Sequence, residues 1–458
     1  MFQLISLGKR ALQVTEKQLE TTSHNISNVN TEGYSRQRVL QESAYPIDLA
    51  FMNVGTGVYI QEIQRMRDEN LDTEYRSKAT EYGSWGSRSE ILAQVEKSLN
   101  EPSDYGLSNK IDKFFSSWDA LASNPSQETY RINIATAAED MTNSFNNIYN
   151  DLVKTRDSIN LNVEDAVNNI NAISDQIATV LVQIQEAESQ NKEACDLRDT
   201  YDKLVDDLSE YGNIQIQKRE NNQVIVYLGT DEIARNGHSR KLGLQTTKDG
   251  DIDISNPIWE DGEEEINGLK SGKLLSLIDL RDNTLKDYMQ DLDTIALALT
   301  EKVNEIHLNG YDNNADQDKN HLFFDDTCTG AKDFKVSNII LENPNNISAS
   351  LSGEEGDNRI ALEIADLKNQ AVIDDKLTIT QAYSQLVYQI GADASYCETK
   401  SESTKLNLDQ TNSFRESVKG VSINEETANL IKFQQMYQAA AKIVSIADEM
   451  LTTIIGLV

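Results

Sequence analysis

Residues 134–184 read IATAAEDMTNSFNNIYNDLVKTRDSINLNVEDAVNNINAISDQIATVLVQI. Ile134, Ala138, Met141, Phe145, Ile148 and Leu152, then Ala166, Ile170, Ile173, Ile177, Leu181 and Ile184, recur at spacings of three and four. That is the mark of one apolar stripe on a helix. Residues 126–211 contain neither glycine nor proline, the two residues that most oppose helix interiors. A helix of some 60 residues at ~1.5 Å rise per residue is ~90 Å long, so the stretch predicts a rod-like helical body.

Outward from this rod the pattern changes. Residues 212–272 hold eight of the 22 glycines, with alternating stretches at Ile214–Gln217, Val224–Leu228 and Asp251–Ile254. Period-two patterning between turn residues predicts a small antiparallel sheet. Helical spacing resumes over 273–309 through Leu277, Leu280, Leu285, Met289, Leu292, Ile295, Leu299, Val303 and Ile306, so the sheet is an insertion between parts of one helical unit. A polar, loop-rich stretch follows to about Gly356, and helices return from about Leu362 to Lys419.

The expected fold class is mainly α with an inserted antiparallel β module. The molecule is elongated and multidomain, with a long helical-bundle body and a coiled-coil-like pair of N- and C-terminal helices. Three units are expected: 1–45 with 420–458 as a terminal helical assembly domain; 46–211 with 273–310 and 357–419 as the body; and 212–272 with 311–356 as a β-rich and loop-rich outer insertion.

The two ends carry the functional signal. Ile5, Leu12, Leu19 and Ile26 stand seven residues apart, which sets them along one narrow seam of a helix. Phe433, Ala440, Ala447 and Ile454 form a second ladder of the same period, and Met436, Tyr437, Ile443, Val444, Met450 and Leu451 fill the positions between. An ordinary pair of core helices satisfies the periodicity alone. Three features favour an assembly surface instead. The seams lie at extreme termini, where chains are usually polar. The C-terminal helix is apolar on more than one side, more than a single partner helix covers. Charge is also cleared from both ends: the net charge is −33, yet residues 1–40 balance at +2 and 421–458 at −2, leaving the whole excess to the interior.

Between the first helix and the body, Asn28 and Asn30 are expected to end the helix and Gly33 to permit a positive φ. Val58–Ile63 after the Gly55-Thr-Gly57 turn reads as a strand.

Other functional classes find little support. Excess negative charge repels phosphate backbones and anionic lipid, so neither nucleic acid nor membrane is an expected partner. No stretch of about 18 uncharged apolar residues is present to span a membrane. The start MFQLISLGKR lacks the form of a cleaved secretory signal. Cys195, Cys328 and Cys397 are far apart without a CxxC, which opposes a disulfide scaffold or zinc site. His24, His238, His307 and His321 have no partner at ligand spacing, so no catalytic, cofactor or metal site is expected. In Gly268-Leu-Lys-Ser-Gly272-Lys273-Leu274 the glycines are one residue too close for a phosphate loop, and Leu274 cannot ligate magnesium. Asp312, Asn314, Asp316 and Asp318 have the spacing of a calcium loop, but Gln317 takes the place of its glycine and Phe323 of its bidentate acid, so a solvated acidic turn is the expectation.

Two signatures at opposite ends resemble those of the axial proteins of the bacterial flagellum. Asn25-Ile-Ser-Asn28-Val-Asn-Thr-Glu-Gly33-Tyr34-Ser-Arg36 resembles the N-terminal rod and hook signature, and the run Gly420–Lys442 with Ala447–Leu451 resembles its C-terminal counterpart. Glu32 stands where the signature usually has proline, and His24 where it has an amide or small residue. The Lys432-Phe-Gln-Gln435 stretch and the long helical middle are more similar to the junction subunits between hook and filament than to hook protein. The resemblance implies a structural, non-enzymatic subunit, exported without a cleaved signal peptide by the flagellar type III apparatus. The partners it implies are copies of itself, hook protein, a second junction protein and an export chaperone of the FlgN type. A hook-like or flagellin-like axial protein and a non-flagellar coiled-coil scaffold are the alternatives.

Overall fold

The computed structural model describes the chain except residues 1, 50–51, 190–192, 220–222, 251, 263, 315–320, 374 and 457–458. Helix α1 (Phe2–Ser27) leads into a ribbon of β1 (Gln37–Ser43) and its antiparallel partner β4 (Val58–Arg65), joined by the small hairpin β2 (Ile47–Leu49) and β3 (Met52–Val54). Four helices follow: α2 (Glu69–Leu99), α3 (Leu107–Ser123), α4 (Glu128–Glu188) and α5 (Cys195–Ser209). The Asp68 carboxylate starts α2 by accepting from the Asn70 and Leu71 amides, which would otherwise lack helical partners.

Helix α4 is the 61-residue rod. Its stripe from Ile134 to Leu152 and from Ile159 to Ile184 is buried, with Ile173 half-buried at its margin. A rod of this length cannot stabilise itself by propensity alone, and packing of that stripe supplies the stability. Helices α3 and α5 cover different parts of it.

The insertion contains two antiparallel sheets. Strands β5 (Ile214–Lys218), β6 (Val224–Leu228), β7 (Asp231–Arg235) and β8 (His238–Ser239) pair in chain order, and β9 (Leu242–Asp249), β10 (Ile252–Trp259) and β11 (Glu264–Glu265) form the other. The chain re-enters the helices through α6 (Lys273–Asp279), a π-helical turn at Leu280–Thr284, and α7 (Leu285–His307). Within the π turn Arg281 is fully buried, and its guanidinium donates to Asn160 Oδ1, the Ser255 carbonyl, Asn256 Oδ1 and the Asp282 carboxylate. One side chain thereby ties β10 to α4, and its charge is tolerable in the interior because its donors are answered.

The last elements are α8 (Asn338–Glu342), α9 (Arg359–Asp366), α10 (Ile379–Lys419) and α11 (Ile423–Ile455). Composition set residues 311–356 beside the β-rich insertion, but their packing joins them to the helices. Phe323, Phe324 and Phe334 are fully buried against Phe114, Trp118 and Phe145 of α3 and α4. Loop backbone is also held by side chains of α4 and α7: Asn146 donates to the Ala331 and Phe334 carbonyls, and Asn304 to that of Phe324. Three aromatic anchors outweigh the polar loop around them, since each buries a large apolar area.

Helix α10 runs back antiparallel along α2. Its start lies near Tyr383–Glu101, where the hydroxyl and carboxylate are 3.3 Å apart, and its end near Arg415–Asp72, an ion pair at 2.9 Å. The chain thus returns to the level where α1 ended, which allows α11 to pair with α1. Among the described residues no helix is long and apolar enough to cross a membrane.

His307 lies completely inside this core. Its Nε2 accepts from the Ser348 amide, and its Nδ1 is 2.7 Å from the His321 carbonyl. Desolvation lowers its pKa from the ordinary 6.5 to about 4. The unfolded chain therefore takes up this proton before the folded one does. Stability from this site is complete above 6.5 and is lost as pH falls toward 4, by on the order of 3 kcal/mol. Urea titrations of the wild type and His307→Gln between those pH values are expected to show a shallower pH slope in the variant.

Candidate assembly interface

Helices α1 and α11 form an antiparallel pair. At one end a Cβ added to Gly8 would stand 2.6 Å from Val444 Cγ2, and at the other Asn25 Nδ2 donates to Glu426 Oε2 at 3.0 Å. These contacts are 17 residue steps apart on α1 and 18 on α11, about 26 Å of helix on each side. The missing side chain at Gly8 permits the close approach near one end.

The expected seam residues Ile5, Leu12, Leu19 and Ile26 are all half-buried. Among the described residues the buried positions of α1 are Gly8, Val14, Thr15, Gln18, Thr21, Thr22 and Asn25. The burial is rotated because α1 has two neighbours, with α11 on one side and the β1–β4 ribbon on the other. The sector between two neighbours is covered most, and apart from Val14 its residues are small or polar. The small-residue ladder Gly8, Thr15 and Thr22 is a signal that a search for large apolar residues passes over.

On α11, Ala440 and Ala447 are buried, while Phe433, Val444 and Leu451 are half-buried. Met436, Tyr437, Ile443, Met450 and Ile454 are exposed, by between 36% and 51%. Ile431 and Ile446 are exposed as well. The helix therefore keeps one narrow face on α1 and turns a broad apolar surface outward.

The signature segment forms a latch at the inner end of the pair. Asn25 is buried, and its amide nitrogen donates to the Gln37 carbonyl as well as to Glu426. Its Oδ1 accepts from the Tyr34 hydroxyl at 2.8 Å and the Gln37 amide at 2.9 Å. Burial, then the charges of Asp196 and Asp199, hold the Tyr34 phenol far above its usual range, so it stays a donor. Arg36 pairs with both Glu426 and Glu425 and gives its backbone N–H to the Lys419 carbonyl. Asn28 follows the end of α1 half-buried, with Nδ2 donating to the His24 carbonyl. Gly33 has φ +83°, a region that L side chains rarely adopt. Glu32, in the place of the usual proline, forms an ion pair with Lys203 on α5 at 2.8 Å.

Behind the latch lies a charged joint that spacing gave no means of foreseeing. Arg65 pairs with Asp199 and Asp202, Arg67 with Asp202 and Asp72, Arg76 with Asp206 and Asp202, and Arg415 with Asp72 and Asp206. These eight side chains are each at most 15% exposed. Four positive and four negative groups balance, which meets the condition for burying charge at all. Burial would raise the Asp202 pKa, but Arg67, Arg65 and Arg76 outweigh it and hold the carboxyl below its usual range. The Ser35 amide donates to Asp199, so the joint holds the latch as well as β4, α2, α5 and α10.

Candidate chemistry elsewhere is placed without convergence. His24 lies against Tyr34, His238 sits in β8, His307 is in the core, and His321 is 3.4 Å from Asp312. Leu274 is buried, as is Phe323. Asp316, Gln317 and Asp318 lie outside the described residues. Among the described residues no group of three or more His, Cys, Asp or Glu is placed to hold a metal ion. All three cysteines are free thiols.

Comparison with known proteins meets this geometry at three places. The profile described as "Flagellar hook-associated protein FlgK helical domain" matches residues 92–324, half of the chain. The chain belongs to the FlgK family of flagellar hook-associated proteins. Residues 5–34 match "Flagella basal body rod protein", and 417–457 match "Flagellar basal body rod FlgEFG protein C-terminal", so both terminal helices carry the axial signatures. Flagellar hook-associated protein 1 of Bacillus subtilis is 27% identical over 498 residues, covering 99% of this chain and 98% of that protein. Its counterpart from Salmonella typhimurium is 23% identical over the full length of both. The flagellar hook junction protein FlgK from Burkholderia pseudomallei has a similar fold, with TM-score 0.64 and 14% identity over 76% of this chain and all of that one. The FlgK family is structural, not an enzyme family, and the chain is a structural subunit of the flagellar hook–filament junction.

Asn25→Ala removes groups that answer Glu426, Tyr34 and both backbone atoms of Gln37, at a cost to pairing of about 2 kcal/mol. Amide exchange over 423–455 is expected to accelerate about thirty-fold, with exchange in α4 unchanged.

Proposed function

We propose that the α1–α11 pair is the segment through which this chain packs with copies of itself and with neighbouring axial subunits, hook protein below and a second junction protein above. The observation that carries the reading is the outward apolar surface of α11, from Ile431 to Ile454, in a helix whose first role is already met by α1. Between Phe433 and the end of the chain only Lys442, Asp448 and Glu449 are charged, so close packing of identical copies costs little repulsion. Exposed apolar patches of this kind mark protein interfaces.

In this reading residues 1–45 with 420–458 form the wall of a tube, and the acidic helical body and its β insertion stand outside it. The chain joins hook to filament and is required for filament assembly. It leaves the cell through the flagellar export route, and the same apolar α11 surface is what a FlgN-type chaperone covers beforehand.

Deletion of the gene is expected to leave complete hooks and to release flagellin into the medium. Absence of hooks would instead assign the chain to an earlier axial stage. Leu19→Asp and Ile443→Asp each put an unpaired charge into the packed surface. Both variants are expected to stay folded, by circular dichroism, and to be missing from purified flagella. Filaments of normal number in either would exclude this role for the terminal pair.

A further inference from the structure

Helix α10 carries a second exposed surface that neither the latch nor the terminal pair uses. Its inner side, through Ile390, Cys397, Thr404, Thr411 and Arg415, is buried. On another side Tyr388, Tyr396, Leu406 and Phe414 are 77%, 54%, 69% and 53% exposed. At ~100° per residue these four fall within an arc of about 80°, and Val418, 37% exposed, lies at its edge. The rest of that arc is filled by uncharged residues such as Ser403 and Gln410, without an Asp, Glu, Lys or Arg. Lys400 stands at that same edge, exposed, with its ammonium 5.5 Å from the centre of the Tyr396 ring, while Glu398, Glu402, Lys405, Asp409 and Glu416 gather on another exposed flank. The result is a strip about 40 Å long that carries no negative charge and one lysine at its edge, on the body of a chain whose net charge is −33.

The geometry points to this strip as a lateral contact with a second copy of the chain, an inference that rests on the assembly reading above. Two observations select that occupant. The strip is continuous with the terminal surface: Val418 ends it, and Ile423, 54% exposed, opens α11 five residues later. In addition, α10 is tied to the terminal unit where the Lys419 carbonyl accepts from the Arg36 amide, and Arg415 on Asp72 and Asp206 joins it to α2 and α5, the latter of which takes the Ser35 amide on Asp199. Copies that pack through their terminal helices therefore carry their α10 helices alongside one another. Bodies of equal negative charge repel where acidic faces meet, and this strip, which carries no carboxylate, is where they approach without that cost.

The test places photoreactive benzoylphenylalanine in the full chain at Leu406, at Met436 on the terminal surface, or at Lys405 on the charged flank, and irradiates assembled flagella. Covalent dimers of this chain are expected from positions 406 and 436 but not from 405. Dimers from 436 with none from 406, equal yields from 405 and 406, or linkage of 406 to a different protein would overturn the strip while leaving the assembly reading in place. Failure at both 406 and 436 would remove both. Independently, Leu406→Glu combined with Phe414→Glu is expected to lower filament number at least about tenfold with unchanged circular dichroism of the soluble chain; wild-type filament number would contradict the inference.

Discussion

The Asn25 side chain offers one carbonyl and one amino group, and four groups from three parts of the chain converge on them. The Tyr34 hydroxyl and the Gln37 amide donate to its oxygen, while Glu426 and the Gln37 carbonyl accept from its nitrogen. An amide is the only side chain with both roles at this size, since a carboxylate could not donate to Glu426 and an apolar residue could answer none of the four. The contact joins residues 401 positions apart and is buried, where an unmade bond is expensive. The register of α1 against α11, the path into the ribbon and the start of α11 all depend on it.

Around this latch the molecule separates two kinds of surface. Charge is used inside, in the Arg–Asp joint, to fix the terminal unit to the body, and outside, across the body, to keep it soluble. It is sparse on the terminal pair, where Lys442, Asp448 and Glu449 alone are charged after Phe433. The joint ties the segment after α1 to α2, α5 and α10, so the terminal pair is fixed in orientation against the body. This arrangement suits a structural subunit that must present a firm body from a packed core.

Much of the architecture was legible in the sequence because helix period and glycine placement are local properties. The 61-residue α4, the sheet insertion, the strand after Gly57 and the turn at Gly33 follow from spacing, alternation and the φ requirement of a single residue. The ladder from Phe433 to Ile454 likewise marks a helix with more apolar surface than one neighbour can cover. What spacing does not carry is the identity of the neighbour. It aligned Ile5, Leu12, Leu19 and Ile26 as a seam, yet α1 sits between a helix and a ribbon, and the sector facing both is built of Gly8, Thr15, Gln18, Thr22 and Asn25.

By itself the sequence determined the long rod and the helical ends, the near-neutrality of those ends against an acidic interior, and the paired signatures. Each is a matter of composition or of residues a few positions apart. Tertiary structure alone decided that Arg65, Arg67, Arg76 and Arg415 meet Asp72, Asp199, Asp202 and Asp206, and that 311–356 joins the helices through Phe323, Phe324 and Phe334. It also decided which side of α10 is left bare. The reason is common to all three: burial depends on what lies across from a residue, and elements distant in the chain are brought opposite one another only when the whole chain is packed.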